Sequence, residues 1–276
     1  MGDQDTLQED QLDRKRFLEE FPRMKEEIEE RIKKLHALAD KADKVHRDCT
    51  ISHVAAASAG TMSGVLTILG LTLAPVTTGA SLALSATALG LGAAAAVTGA
   101  STSIVERVST LAVETEASRL TSTADNEEEV FEGVVQEVFE GVVRDSAAQF
   151  ASSVETFFQA MQDIENNVRA IKVAKGNPGL AASAKRFTTT GRVSVKRGKQ
   201  VQKAFGGTAL AMTKGARIMG VAEAGVSLLM EVAFLVKEAK HLHEGAKAES
   251  AERLKQQARE LEEKLEMLTR IYESLQ

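Results

Sequence analysis

Two glutamates, Glu223 and Glu231, interrupt an otherwise apolar stretch, IMGVAEAGVSLLMEVAFLV, between Ile218 and Val236. One charged side chain at a bilayer centre costs about 2.5–3.5 kcal/mol on insertion scales, so two ionised carboxylates would hold a segment of this modest Leu and Val content out of lipid. Protonation removes much of that cost, and apolar surroundings favour the neutral carboxyl. Glu223 and Glu231 are therefore expected to be pH-sensing, with acidification permitting insertion. The competing reading places both acids on the wetted side of a soluble helix, since residues eight apart lie about 80° from each other at 100° per residue.

A second charge pattern is basic. No acidic residue occurs from Asn166 to Ala222, a stretch that carries twelve cations, whereas the whole chain has a net charge of -5. Such a block attracts polyanions: nucleic acid, anionic lipid headgroups or the protein's own acidic segments. Phe187 and Phe205 are the only aromatics among the cations, too few for a stacking platform, and no nucleic-acid motif is present. Anionic lipid is the expected contact, through Lys185, Arg186, Arg192, Lys196, Arg197, Lys199 and Lys203. Near-surface Lys and Arg are worth about 1 kcal/mol each on an anionic leaflet.

Other chemistry finds little support. His241 and His243 in KHLHEG are two apart and would face different directions on a helix, with no third ligand nearby, so no metal site is expected. No phosphate loop, dinucleotide fingerprint, nucleophile elbow or zinc helix occurs. Neither an enzyme nor a cofactor is expected. Cys49 is the only cysteine, which excludes an internal disulfide, and the acidic start MGDQDTLQEDQLD lacks the basic, then apolar, pattern of a secretory signal. The expected location is cytoplasmic, peripheral to or conditionally inserted in intracellular membranes, with secretion by another route the alternative.

The elements that would carry these residues are helical. Three prolines in 276 residues, no Trp and an abundance of Ala, Leu, Glu and Lys favour an all-α fold. From Phe17 to Val45 apolar residues recur at three and four, one face of a long amphipathic helix. Cys49 to Val105 then contains no Asp, Glu, Lys or Arg. Pro75 and Gly79 break this run into two apolar helices, roughly Val54 to Leu73 and Ser81 to Val105, each near the ~20 residues that cross a bilayer. Val54, Gly60, Gly64, Leu66, Leu69, Leu73, Pro75, Leu82, Leu84, Leu89, Gly90 and Val97 mark this candidate membrane-insertion hairpin. Small residues four apart, Ala56, Gly60 and Gly64 and again Ala86, Gly90 and Ala94, would let helices approach closely.

Beyond the hairpin, Asp125 or Asn126 with Glu127 to Glu129 reads as a capped helix start, and VFEGVV occurs twice, eight residues apart. That helix is expected to run to about Lys175. GNPGLAAS breaks it, and the basic stretch to Gly207 reads as a linker. Leu254, Leu261, Leu268 and Leu275 form a heptad seam, a coiled-coil strand that would pair with the N-terminal helix or with a partner chain. The expected organisation is an acidic amphipathic region over 1–48, the hairpin with its following helices over 49–175, a basic linker over 176–207, and the third apolar segment with the heptad helix over 208–276.

Charge freedom over 57 residues favours lipid for the hairpin. Its Ala, Gly, Ser and Thr content makes insertion marginal, and no Trp or Tyr marks an interfacial belt. The combination predicts conditional insertion: an apolar hairpin enclosed by amphipathic helices, colicin-like in architecture, until the enclosure opens.

The segments LHALADKADKVHRDCTISHVAAASAG, LTLAPVTTGASLAL and KEAKHLHEGAKAESAERLKQQARELEEKLEMLTRIYESLQ resemble corresponding parts of the apolipoprotein L family. The resemblance implies lipid binding, lipid transport or binding of lipid to organelles, association with intracellular membranes and, as in some members, ion-conducting or membrane-permeabilising activity. The alternative from another class is a soluble adaptor that recruits protein partners through its heptad and amphipathic helices, in cell death or autophagy regulation.

Overall fold

The structure, a computed structural model, describes residues 2–121 and 125–276, with the side chains of 2–10, 13 and 121–135 outside the description. The cap proposed at Asp125 to Glu129 and the first VFEGVV copy fall among those side chains. The described residues form α1 (Gly2–Leu73), α2 (Gly79–Thr121), α3 (Asp125–Gly176), α4 (Pro178–Thr190), α5 (Val195–Phe205), a 3-10 turn (Ala209–Ala211), α6 (Lys214–His243) and α7 (Glu249–Leu275). No strand occurs among them, and the fold is all-α.

Two compact units emerge, one from Met1–Arg47, Glu106–Glu140 and Ala246–Gln276, the other from Asp48–Val105 and Gly141–Gly245. This partition differs from the four consecutive regions expected, because α1 and α2 do not end where their charge pattern changes. Nothing between Val45 and Val54 breaks a helix, so α1 continues from its amphipathic part into its apolar part.

In the first unit α7 lies on α1. Ile32, Leu35, Ala39 and Ala42 of α1 meet Ala251, Leu254 and Ala258 of α7, with Val113 and Ala117 of α2. The heptad seam is thus used inside the chain: Leu254 is buried, and Leu261, Leu268 and Leu275 are half-buried. Tyr272 stacks on Phe21 with ring centroids 4.5 Å apart. The α7 N-terminus has no side-chain cap of its own. Asp43 of α1 substitutes: its Oδ1 accepts from the Ala248 N–H at 2.9 Å and its Oδ2 meets Lys255 Nζ at 2.6 Å. Burial acts to raise the Asp43 pKa, but the Lys255 and Ala248 hydrogen bonds and the Lys255 and Lys247 charges outweigh it and hold the carboxyl below its ordinary value. The same hydrogen bond raises the Lys255 pKa.

In the second unit α1 and α2 form the hairpin, turning through 74–78. Two close approaches hold it. A Cβ at Gly70 would stand 2.6 Å from Ser85 Oγ, and one at Gly92 would stand 2.8 Å from Ser63 Oγ. Ser63 Oγ also donates across the hairpin to the Ala88 carbonyl at 2.8 Å.

The stretch expected to be a linker is instead α4 and α5. Asn177 caps α4, accepting from the Leu180 N–H at 3.0 Å, with Pro178 in the first turn, where its missing N–H is harmless. Gly191, at φ 69°, ends α4, and its N–H donates to the Phe187 carbonyl. Ala181, Ala184, Val201 and Phe205 then bury against Leu82 at the start of α2 and Ala170 and Ala174 of α3. The apolar positions that make these short helices fold are few, and seven cations obscure them in the sequence.

Candidate membrane-contact site

Among the described residues three helices contain an 18-residue window long and apolar enough to cross a membrane: α1, α2 and α6. Their windows are 17 %, 22 % and 0 % buried, respectively. The hairpin is thus only partly enclosed, with most of its residues half-buried. Ala and Gly let the helices meet along narrow seams, and some of the larger side chains point outward, with Met62 59 % and Val105 53 % exposed. Val54, Leu66, Leu73, Pro75, Leu84, Leu89 and Val97 are half-buried, Leu82 is buried and Leu69 is exposed. α6 goes further: none of its residues is buried, and Met219, Leu229 and Met230 are each at least 70 % exposed.

α6 lies along α1 in the second unit. A Cβ on Gly64 would come within 3.1 Å of Leu228, and one on Gly60 within 2.8 Å of the Glu231 carboxylate. The small-residue spacing at Gly60 and Gly64 thus serves the α1–α6 approach, whereas Gly90 faces Ile164 of α3 at 3.8 Å. His53 meets Phe234 edge to face, with centroids 6.2 Å apart.

Between these helices lies an open groove of about 1260 Å³. Gly60, Leu71, Leu89, Ala96 and Phe234 contribute to its walls, and Glu223 and Glu231 both line it, with Asp163 and Asn167 of α3. The two α6 carboxylates therefore share one side of the helix, Glu223 exposed and Glu231 half-buried.

The cations gather at the turn end of the hairpin. Arg186, Arg192, Lys196, Arg197, Lys199 and Lys203 are exposed and Lys185 is half-buried. Among the described residues none of the seven makes an ion pair. Arg197 donates to Ser183 Oγ at 2.8 Å, joining α5 to α4. Arg217 donates to the carbonyls of Leu71, at 3.0 Å, and Thr188, at 3.1 Å. One guanidinium thus satisfies free carbonyls at the C-terminal ends of both α1 and α4, where the helix dipoles favour a cation.

Comparison with known proteins gives the chain its family. The family model described as apolipoprotein L matches residues 1–270. Human (Homo sapiens) apolipoprotein L3 is 45 % identical over 273 residues, covering 99 % of this chain and 64 % of its own length. Human apolipoprotein L6 is 41 % identical over 94 % of the chain and 74 % of its own, and human apolipoprotein L1 37 % identical over the whole chain and 68 % of its own. The chain belongs to the apolipoprotein L family. It spans less than two thirds of apolipoprotein L3, and no solved structure matches it.

For this apolipoprotein L chain, the structure brings Glu223 and Glu231 together with the hairpin and sets the basic residues at the hairpin's turn. Four positions that matter to this arrangement went unread in the sequence: Gly70 and Gly92, which set the hairpin spacing, Arg217, which caps two helices, and Asn167 in the groove. Gly70 and Gly92 are two of twenty glycines, and Arg217 is one of twelve clustered cations. Only the tertiary structure distinguishes them.

Proposed function

We propose that this protein binds lipid membranes, seating the turn end of its hairpin on anionic headgroups through the exposed cations of α4 and α5 and then passing α1, α2 and α6 into the apolar layer. The observation that carries this reading is α6, a 30-residue helix with no buried residue and a membrane-length apolar window. Exposed apolar surface on that scale marks a contact with lipid or with a partner. The unpaired cations beside it favour lipid, since phosphate and an apolar layer occur together at a membrane surface. Because α6 has no buried residue and the hairpin is only partly enclosed, docking presents apolar surface to lipid before any larger rearrangement.

Within this reading the finer steps are lipid binding on cytosolic leaflets, proton-dependent insertion through Glu223 and Glu231, and ion passage or permeabilisation. Neutralising both glutamates removes the cost of carrying α6 into lipid. The test is flotation with phosphatidylcholine vesicles and with vesicles containing phosphatidylserine or cardiolipin, at neutral and acidic pH. Anionic-lipid-dependent flotation, lost in high salt at the docking step, supports the reading. A protein that stays at the bottom of every gradient acts instead as a soluble adaptor.

A further inference from the structure

Within the second unit α3 turns small residues inward and large ones outward. Ser146, Ala160, Asn167 and Ala174, which share one heptad position, are buried. Val143, Phe150, Phe157, Met161 and Val168 are 37–49 % exposed, and Phe158 is 67 % exposed. At 100° per residue the exposed stripe centres about 120° from the buried one. A helix ordinarily buries its larger apolar side chains, because the gain follows the apolar area removed from water. The reversal leaves α3 with a second face to cover.

The spacing on that face selects what covers it. From Val143 to Val168 the apolar positions advance alternately by four and three without a miss, in the order Val, Ala, Phe, Val, Phe, Met, Ile, Val. That is the seam of a coiled-coil strand. An anionic leaflet is a poor occupant, because the same stretch carries Arg144 against Asp145, Glu155, Asp163 and Glu165. Nor is α3 among the described helices with a membrane-length apolar window. The chain's other heptad strand, α7, is already seated on α1.

We propose that α3 pairs antiparallel with α3 of a second copy of this chain. In the register that sets Val143 on the partner's Val168, Ala147 meets the partner's Ile164 and Phe150 the partner's Met161. Val154 meets the partner's Phe157, and the two-fold axis repeats every contact. Small side chains thereby face large ones, and Phe158 lies over the partner's Ala151. On the same flank Arg144 stands beside the partner's Glu165. Both residues are exposed, and among the described residues neither makes an ion pair. The surface is thus self-complementary in charge as well as in size. Parallel pairing sets Phe150 on the partner's Phe150 and leaves Arg144 about 30 Å from the partner's Glu165. This goes beyond membrane docking, which uses the cations of α4 and α5 and the apolar length of α6.

The test is sedimentation equilibrium of the full chain without lipid, at micromolar concentration, for the parent, Met161→Glu, Arg144→Glu and Glu165→Arg. The parent is expected to be a dimer. Met161→Glu puts a carboxylate against the partner's Phe150 and should leave a monomer. Each charge reversal turns two attractive pairs into repulsive ones and should weaken the dimer about tenfold. An equimolar mixture of the two reversed chains restores opposite charges at both pairs, and should recover the parental affinity. Thermal melts establish that each variant folds, and should Met161→Glu fail to fold, the mixture decides. A folded Met161→Glu dimer, or a mixture no tighter than its components, overturns the proposal. So does a monomeric parent. In that case vesicle flotation assigns the face: to lipid if Met161→Glu lowers flotation, to a different protein if it does not.

Discussion

Asp43 links α1 to the N-terminus of α7 through two bonds of different kinds, and its substitutions separate them. Asp43→Ala removes both the acceptor for the Ala248 N–H and the Lys255 ion pair. Loss of a helix N-terminal acceptor costs about 1 kcal/mol. The ion pair joins side chains that are 26 % and 28 % exposed, so solvent screening limits it to about 0.5–1 kcal/mol. The sum expected for Asp43→Ala is about 1.5–2 kcal/mol. Asp43→Asn keeps an acceptor and loses the charge, and should cost about half as much. The assay is urea unfolding followed by helical circular dichroism from pH 7 to pH 3. The folded-state pKa of Asp43 lies below its ordinary 3.8, so its stabilisation is complete above that value and disappears as pH falls through the lower, folded-state pKa. The gap between parent and Asp43→Asn should therefore be constant down to about pH 5 and close toward pH 3. Equal damage from the Asn and Ala variants, or a gap that persists at the acid end, would refute the reasoning.

Three further outcomes follow from the second unit. Gly70→Ala sets a methyl 2.6 Å from Ser85 Oγ and 3.2 Å from the Ser81 carbonyl, and should lower stability by about 1–3 kcal/mol; Gly79→Ala, with open space around its Cβ, should be neutral in the same melt. Arg217→Gln exposes the Leu71 and Thr188 carbonyls, and should speed amide hydrogen exchange at the C-terminal turns of α1 and α4 ahead of the rest of the unit. Glu223→Gln with Glu231→Gln should release vesicle contents at higher pH than the parent, and an unshifted pH profile would remove these residues from the trigger.

The breaks in this fold were legible wherever a residue enforces them. Pro75 set the hairpin turn, and Asn177 with Pro178 set the end of α3, because both prolines restrict the backbone whatever surrounds them. Charge pattern was a poorer guide to helix ends. α1 runs past Val45 and α2 past Val105, since a helix has no reason to stop where its wetted face changes character. The heptad leucines indicated a pairing face, and the partner, α1, emerged only once the chain was folded. Gly60 and Gly64 likewise announced a close approach without naming α6 as the element approached. The outward face of α3 lies beyond any sequence reading: that its small residues turn inward and its phenylalanines outward is a property of the assembled helices.

Because Cys49 is the only cysteine and is buried, a Cys49→Ser, Met62→Cys chain carries one reporter position on the exposed side of the hairpin. With an environment-sensitive fluorophore at that position, vesicles containing phosphatidylserine or cardiolipin should shift emission to the blue and make it quenchable by acyl-chain bromines, while phosphatidylcholine alone leaves it unchanged. Emission that stays that of an aqueous probe with every vesicle and at every pH would contradict the claim that this hairpin enters lipid.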